Sequence, residues 1–113
     1  MNSYKTGLVS EFIARMYLRL HGCRILKNRY ITGRNTGRAE IDIIARRGNL
    51  LLFVEVKYRP DITTGICAIS RPQAARLRRS AETYIARTHW TGNARFDAII
   101  VMPHKIRWIQ GII

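Results

Sequence analysis

The sequence predicts a mixed α/β fold with the order helix, three strands, helix, and one or two further strands. Two segments carry apolar residues at helical spacing, and several short segments are rich in branched apolar residues. A Gly-Asn pair between two of the short segments indicates a tight hairpin. With 113 residues, 47% of them hydrophobic, the chain is expected to form a single domain over residues 1–113.

The first helix is predicted over residues 7–20, and Gly22 is a suitable residue to end it. A broad apolar stripe in this segment comprises Leu8, Val9, Phe12, Ile13, Met16, Tyr17 and Leu20. A second line at helical spacing comprises Gly7, Glu11, Ala14 and Leu18. Because the second line is small or apolar apart from Glu11, the helix could pack closely along it and carry Glu11 with it.

The remaining elements follow from short branched segments and from helix-start signals. Strands are predicted at residues 23–31, 39–45, 50–58 and 95–102, and residues 105–109 could add a final edge strand. The polar segment TGRNTGR at residues 32–38 is expected to be a mobile loop. A second helix is predicted from Pro72, preceded by Ser70 or Arg71, to about Arg87. Its buried stripe comprises Ala74, Leu77, Ala81, Tyr84 and Ile85.

Two charged residues, Glu55 and Lys57, lie inside the apolar strand LLLFVEVKY. Buried charges persist only when they are paired or bound to a metal. If Gly48 and Asn49 form the hairpin turn, paired residue numbers sum to 97, so that Asp42 faces Glu55 and Glu40 faces Lys57. Side chains alternate along a strand, and all four would then lie on one face of the sheet.

Two carboxylates that face each other in an apolar sheet must share a proton or a cation. A shared proton would suit an acid–base pair, and a shared cation would suit Mg²⁺, which takes one or two carboxylates and keeps several waters. The alternative is an open sheet face on which Lys57 pairs with Glu40 and Glu55 has no special role. Spacing alone does not separate these interpretations.

The charge of the chain points to a polyanionic partner. Twenty Lys and Arg residues, sixteen of them Arg, stand against seven Asp and Glu residues and give a net charge of +13. Arginine is favoured where several donors must contact phosphate, and a strong positive field on a small domain favours nucleic acid. A basic ribosome-associated protein would have the same composition, so charge does not exclude it.

The string E-I-D-(x12)-E-V-K, from Glu40 and Asp42 to Glu55 and Lys57, resembles the metal site of the PD-(D/E)XK nucleases. More closely, residues 7–101 resemble the YraN-like family of small bacterial proteins, which are grouped with Holliday junction resolvases. The resemblance is carried by the second line of the first helix, Asn28-Arg29, the two strand motifs, Ala81, Tyr84, and Arg95-Phe96-Asp97. It implies a restriction-endonuclease-like core, a mixed β-sheet flanked by helices in the order α-β-β-β-α-β.

The resemblance also implies roles for individual residues. Asp42 and Glu55 would be metal ligands with the backbone carbonyl of Val56, and Glu11 would reach the metal directly or through water. Lys57 would position the attacking water or stabilise the phosphorus centre. At two positions the chain departs from the family pattern, with Ala39 in place of glycine and Gln73 in place of lysine. Gln73 falls on the sheet-facing side of its helix, where related nucleases often have Gln or Lys, so the resemblance makes it a candidate catalytic residue. As an uncharged residue it weakens any claim of a second catalytic cation.

The predicted function is therefore Mg²⁺- or Mn²⁺-dependent hydrolysis of DNA, with branched DNA as one candidate substrate. Sequence-independent phosphate contacts are expected from Arg34, Arg38, Arg59, Arg76 and Arg79. A non-catalytic nucleic-acid-binding protein with the same fold and an RNA-associated factor are the alternatives. A homodimer is left open. Because no apolar run approaches the length of a bilayer span and no secretory signal is recognised, a cytoplasmic protein is expected.

Overall fold

The computed structural model describes residues 3–33, 38–60 and 69–113. This part of the chain contains two helices and five strands in the predicted order. The helices are α1 (Ser3–Leu20) and α2 (Arg71–Thr88). The strands are β1 (Arg24–Thr32), β2 (Ala39–Arg47), β3 (Leu50–Tyr58), β4 (Asn93–Met102) and β5 (Lys105–Gln110). Residues 34–37 of the predicted mobile loop lie outside the described residues.

The five strands form one mixed sheet in the order β1-β2-β3-β4-β5. Neighbouring strands are antiparallel except for β3 and β4, which are parallel and joined through α2. A parallel pair requires such a crossover, and a helix is its usual form. The sequence left the second C-terminal strand open, and the structure shows that residues 105–110 do form it.

Each face of the sheet packs against one helix. On the α1 side, Ala14 and Leu18 pack against Ile43, Val54 and Ile99. The cluster on the α2 side contains Ile44, Phe53, Leu77, Ala81 and Tyr84. Strands covered on both faces must carry apolar residues in nearly continuous runs, which explains the composition of β2 and β3.

The buried face of α1 is the second line of the helix, since Ala14 and Leu18 are fully buried. Much of the broad apolar stripe remains at the surface, contrary to the usual position of such a stripe. Phe12 is 55% exposed and Leu20 is 80% exposed. The other large exposed residues of α1 are Leu8, Val9 and Met16. Close packing of small side chains on the sheet therefore leaves an apolar helix face uncovered.

Local signals define the end of α1 and the start of α2, whereas α1 begins at Ser3, earlier than the predicted residue 7. After α1, Gly22 has φ +84°, and the N–H groups of Gly22 and Cys23 donate to the carbonyls of Arg19 and Leu18. This is the Schellman pattern that glycine permits at the end of a helix. At the start of α2, the Ser70 hydroxyl accepts a hydrogen bond from the N–H of Gln73, and Pro72 occupies the first turn.

Asp97 on β4 has a structural role. Its fully buried carboxylate accepts hydrogen bonds from the Arg95 guanidinium at 2.7 and 2.8 Å, from Trp108 Nε1 at 2.8 Å and from the Gly111 N–H at 3.0 Å. These donors belong to β4, β5 and the segment after β5, so the Asp97 carboxylate ties the C-terminal part of the sheet together. Within the described residues, neither helix has the length and apolarity needed to cross a membrane.

Candidate functional site

The site lies where β2 and β3 separate. Their ladder follows the predicted hairpin register over five pairs, from Arg47↔Leu50 to Ile43↔Val54. Beyond that point β2 stays paired with β1 as far as Ala39, whereas β3 stays paired with β4 as far as Tyr58. The two strands thus open like a fork, with Asp42 on one arm and Glu55 on the other.

The Asp42 side chain replaces the missing ladder contact at the fork. Its Oδ2 accepts a 2.8 Å hydrogen bond from the N–H of Val56. The strand also changes its orientation here, because Ile41 packs on the α2 side and Ile43 on the α1 side. Residues two apart in a regular strand share one face, so β2 is irregular at Asp42.

Three carboxylates of the fork line one cavity of about 240 Å³. They belong to Glu40, Asp42 and Glu55. The wall contributed by α2 contains Gln73, which lies on the predicted side of its helix with the buried Leu77. The remaining lining residues are Arg38, Ala39 and Arg76. The cavity therefore combines clustered acids with two arginines.

Asp42 is the group whose ionisation the fork changes most clearly. Burial and the neighbouring charge of Glu55 raise the pKa of Asp42 to about 7, while the hydrogen bond from Val56 opposes the shift. The charges of Glu11 and Glu40 raise this pKa further. A carboxylate in such a place is stabilised by a proton or by a cation, as expected from the predicted proximity of Asp42 and Glu55.

Lys57 does not pair with Glu40, as the open-face alternative expected. Its Nζ lies 3.0 Å from Oε1 of Glu55, in an ion pair in which Glu55 is 13% exposed. Glu40 instead lies opposite Ile31 of β1, and Lys57 lies opposite Ile100 of β4. The expected direct facing of Asp42 with Glu55 and of Glu40 with Lys57 is absent from the β2–β3 ladder, because the two strands separate after Ile43 and Val54. Asp42 and Glu55 instead line the same cavity.

Glu11 reaches the site region from α1 but is held by an arginine. Arg29 Nε and Nη2 donate to the two carboxylate oxygens of Glu11 at 3.1 and 3.3 Å. Arg29 has φ +53°, a left-handed conformation that costs energy for a residue with a side chain. Its neighbours on β1, Asn28 and Tyr30, pair with Ile43 and Ile41 of β2. Arg29 therefore lies opposite Asp42 of β2.

Arg29 was not predicted as a site residue. In the sequence it stands out only as part of the family motif Asn28-Arg29, because no local spacing relates residues of β1 to residues of β2. The signal would have been the register between these strands, which depends on the segment that joins them.

The donor set suits a hydrated divalent cation. Among the described residues, no group of three or more His, Cys, Asp and Glu side chains is close enough to hold a metal ion. Two carboxylates, Asp42 and Glu55, line the cavity at the fork, and Mg²⁺ is commonly held by one or two carboxylates with waters and substrate oxygens. The residues present therefore fit Mg²⁺ or Mn²⁺ better than a cation that needs a full protein cage.

The predicted phosphate-binding arginines are divided between two places. Arg38 and Arg76 line the cavity. Arg59 and Arg79 do not line it; Arg59 follows β3, and Arg79 is exposed on α2. Arg34 lies outside the described residues.

A solved structure shares this architecture. The Hjc protein of Archaeoglobus fulgidus, described as a Holliday junction resolvase from an archaeal hyperthermophile, matches with a TM-score of 0.55 and 18% sequence identity. The match covers 88% of this chain and 72% of that chain. At this identity the likeness concerns the fold, and it confirms the predicted restriction-endonuclease-like core.

Sequence relatives extend over most of the chain. A UPF0102 protein of Paramagnetospirillum magneticum is 36% identical over 104 residues, which cover 90% of this chain and 81% of the relative. A UPF0102 protein of Bradyrhizobium diazoefficiens is 37% identical over 106 residues, which cover 92% and 77%. The family profile itself matches residues 10–101, from α1 to the end of β4. The chain therefore belongs to the uncharacterised protein family UPF0102, in agreement with the predicted YraN-like resemblance.

Proposed function

We propose that this protein is a divalent-metal-dependent endonuclease that hydrolyses phosphodiester bonds in structured or branched DNA. One observation carries the proposal: Asp42 and Glu55 share a cavity at the strand fork, with Lys57 bound to Glu55 and Arg38 and Arg76 in the cavity wall. Acids alone would repel a phosphodiester, whereas acids beside fixed cations can accept it together with a metal ion.

Asp42 and Glu55 would hold Mg²⁺ or Mn²⁺, with the carbonyl of Val56 as a further ligand. When bound, the ion would polarise the phosphodiester and lower the pKa of the attacking water. The raised pKa of Asp42, with burial and the charge of Glu55 as its main causes, supports a site that needs positive charge. Glu11 would contribute through water, because Arg29 already binds its carboxylate.

The other residues act on the substrate in this proposal. Arg38 and Arg76 would contact phosphate oxygens and bring the scissile group into the cavity. The Lys57 ammonium would remain beside Glu55 and stabilise the negative charge that develops on the phosphoryl oxygens. Gln73 has both donors and acceptors, so it would orient the water or a phosphate oxygen without adding a charge.

A homodimer would allow two such sites to cut opposite strands of a junction. The exposed face of α1 offers the surface for a second copy, since its five large apolar side chains are between 39% and 80% exposed. Together they present on the order of 500 Å² of apolar area, near the upper end for the largest patch of a monomer. Standard interfaces bury about 800 Å² per partner, so this face could form the centre of one.

The direct test uses the purified chain with duplex, flapped and four-way DNA in Mg²⁺, Mn²⁺ or EDTA. We expect metal-dependent cleavage of at least one structured substrate. The Asp42→Ala variant should lose cleavage and keep or strengthen DNA binding, because it removes a negative charge from the binding surface. Glu82→Ala is the matched control, because Glu82 is an exposed acid of α2 that does not line the cavity.

Two results would replace this proposal with another. Binding without cleavage of any substrate in either metal would favour a non-catalytic binding module. Tighter binding to RNA than to DNA at matched salt would favour an RNA-associated factor, and salt must be matched because phosphate contacts depend steeply on it.

A further inference from the structure

Two arginines face each other at the hairpin end of the sheet. In the β1–β2 ladder Arg24 lies directly opposite Arg46, and both residues are exposed. Opposed residues of an antiparallel pair point to the same face, and like charges in these positions are destabilising. No acid on β1 compensates, since its sequence RILKNRYIT contains none.

The Arg46 side chain is held in position rather than free in solvent. Its guanidinium lies over the Trp90 ring, 5.0 Å from the centroid, and its Nε donates a 2.9 Å hydrogen bond to the Gly48 carbonyl. None of the ion pairs found in the described part of the chain involves Arg24 or Arg46. Two cations without an ion-pair partner thus occupy directly opposed positions, an arrangement that a bound anion would stabilise.

The two arginines lie on the same side of the sheet as the carboxylate cavity. Trp90, under Arg46, belongs to the apolar cluster on the α2 side, and α2 also supplies one wall of the cavity. Along β2, Arg46 is four residues from Asp42, or about 13 Å at the usual strand rise. This distance is roughly the rise of four base pairs of duplex DNA.

We propose that Arg24 and Arg46 form a second phosphate-binding site, which holds the nucleic-acid backbone away from the point of cleavage. The ligand is a backbone phosphate of the same DNA whose other phosphate enters the cavity, so this inference rests on the proposed function. The exposed Lys27 on edge strand β1 lies between the two places and extends the cationic path. The contact carries no base readout; it would orient the DNA on the protein.

Arg47 provides a matched control for this site. It follows Arg46 on the same strand, is exposed, and its guanidinium also lies over a tryptophan, 5.4 Å from the Trp108 centroid. Trp108 belongs to the cluster on the α1 side, so Arg47 points to the opposite face of the sheet. Replacing Arg47 removes the same charge and the same kind of stacking without removing the proposed contact.

The experiment measures affinity for a labelled 20-base-pair duplex in EDTA, over about 50 to 200 mM salt. Losing one phosphate contact should lower the slope of log affinity against log salt by about 0.9 and weaken binding roughly five- to tenfold near 0.1 M. Arg24→Ala should show this slope change and this loss of affinity. The double variant Arg24→Ala with Arg46→Ala should change the slope about twice as much. Arg46→Lys should retain the slope of the unmodified chain. Arg47→Ala should change the slope by less than half of the value expected for the loss of one phosphate contact.

A second measurement separates a binding role from a structural one. Arg24→Glu would place opposite charges across the β1–β2 ladder, so its melting temperature should rise while its DNA affinity falls. If Arg24→Glu melts lower than the unmodified chain, or if Arg24→Ala and Arg47→Ala have the same slope, the second site is excluded. If Arg24→Ala lowers the slope but the unmodified chain cleaves no DNA, only the endonuclease proposal is overturned. If the unmodified chain cleaves DNA but Arg24→Ala leaves the slope unchanged, only the second phosphate-binding site is overturned.

Discussion

The N–H of Val56 donates a 2.8 Å hydrogen bond to Oδ2 of Asp42 at the point where the β2–β3 ladder has ended. A side chain therefore takes the place of a backbone acceptor at the fork. This bond keeps the Asp42 carboxylate inside the cavity that Glu55 also lines. The same separation of strands thus opens the cavity and holds an acid in it.

The first prediction concerns how the free energy of unfolding depends on pH. The pKa of Asp42 is about 7 in the folded chain, raised by burial and by Glu55, and about 3.9 in an unfolded chain. Stability from the bound proton is then complete below about pH 4 and is lost as the pH rises to about 7. Asp42→Asn keeps an acceptor for Val56 and does not titrate, so it should be more stable than the unmodified chain at pH 8, by at most about 4 kcal/mol.

Denaturant unfolding between pH 4 and pH 8 measures this difference. The gap between the two proteins should grow with pH through this window, whereas Glu82→Gln should run parallel to the unmodified chain. A gap that shrinks as the pH rises would contradict the raised pKa.

Divalent metal should reverse the instability at high pH. At about ten times its dissociation constant, Mg²⁺ or Mn²⁺ should stabilise the folded chain by about 1.4 kcal/mol at pH 8. The effect should be smaller at pH 5, where Asp42 retains its proton, and absent in Asp42→Asn. Thermal melts with and without metal test this, and equal stabilisation of both proteins would place the metal elsewhere.

Arg29 should be replaceable by glycine with less damage to the fold than by alanine. Its φ of +53° is accessible to glycine at little cost, whereas alanine keeps roughly 1 kcal/mol of conformational penalty. Both variants release Glu11, so both should lower cleavage. Melting temperatures separate the two effects: Arg29→Gly should melt above Arg29→Ala. The reverse order would show that strain at this position is not important.

The uncovered face of α1 should mediate self-association. Phe12, which is 55% exposed, lies in this face, so Phe12→Glu should shift sedimentation towards the monomer without lowering the melting temperature. Arg107→Glu, an exposed substitution on β5 that changes the charge by two units where Phe12→Glu changes it by one, should leave the association unchanged. An unmodified chain that sediments as a monomer, with and without four-way DNA, would exclude the homodimer.

Asp97 should be among the positions most sensitive to substitution for stability. Asp97→Asn leaves the Arg95 guanidinium without its ionised partner and removes an acceptor from Trp108 or Gly111. Breaking a buried pair in this way typically costs 3–5 kcal/mol. Urea unfolding should show a loss of that order, and Glu82→Gln should lie within about 0.5 kcal/mol of the unmodified chain. A loss below 1 kcal/mol would contradict the structural role.

Local sequence signals were sufficient for the secondary structure and for one part of the site. The Gly48-Asn49 turn and period-two alternation predicted the β2–β3 register, because a two-residue hairpin leaves little freedom in pairing. The register predicted that Asp42 and Glu55 lie close together; they do line one cavity, although the ladder ends one residue before them. The helix end at Gly22 was equally local and was predicted correctly, and of the two residues left open before Pro72 the structure has Ser70 as the cap.

Contacts between distant segments were decided only in three dimensions. The ladder ends at Ile43 and Val54 because β2 continues on β1 while β3 continues on β4, and no local pattern encodes that competition. The Arg29–Glu11 pair, the exposed face of α1 and the opposed Arg24 and Arg46 all depend on how separate elements meet. Side-chain periodicity specifies that a helix has an apolar face, but the packing partner determines which face is buried.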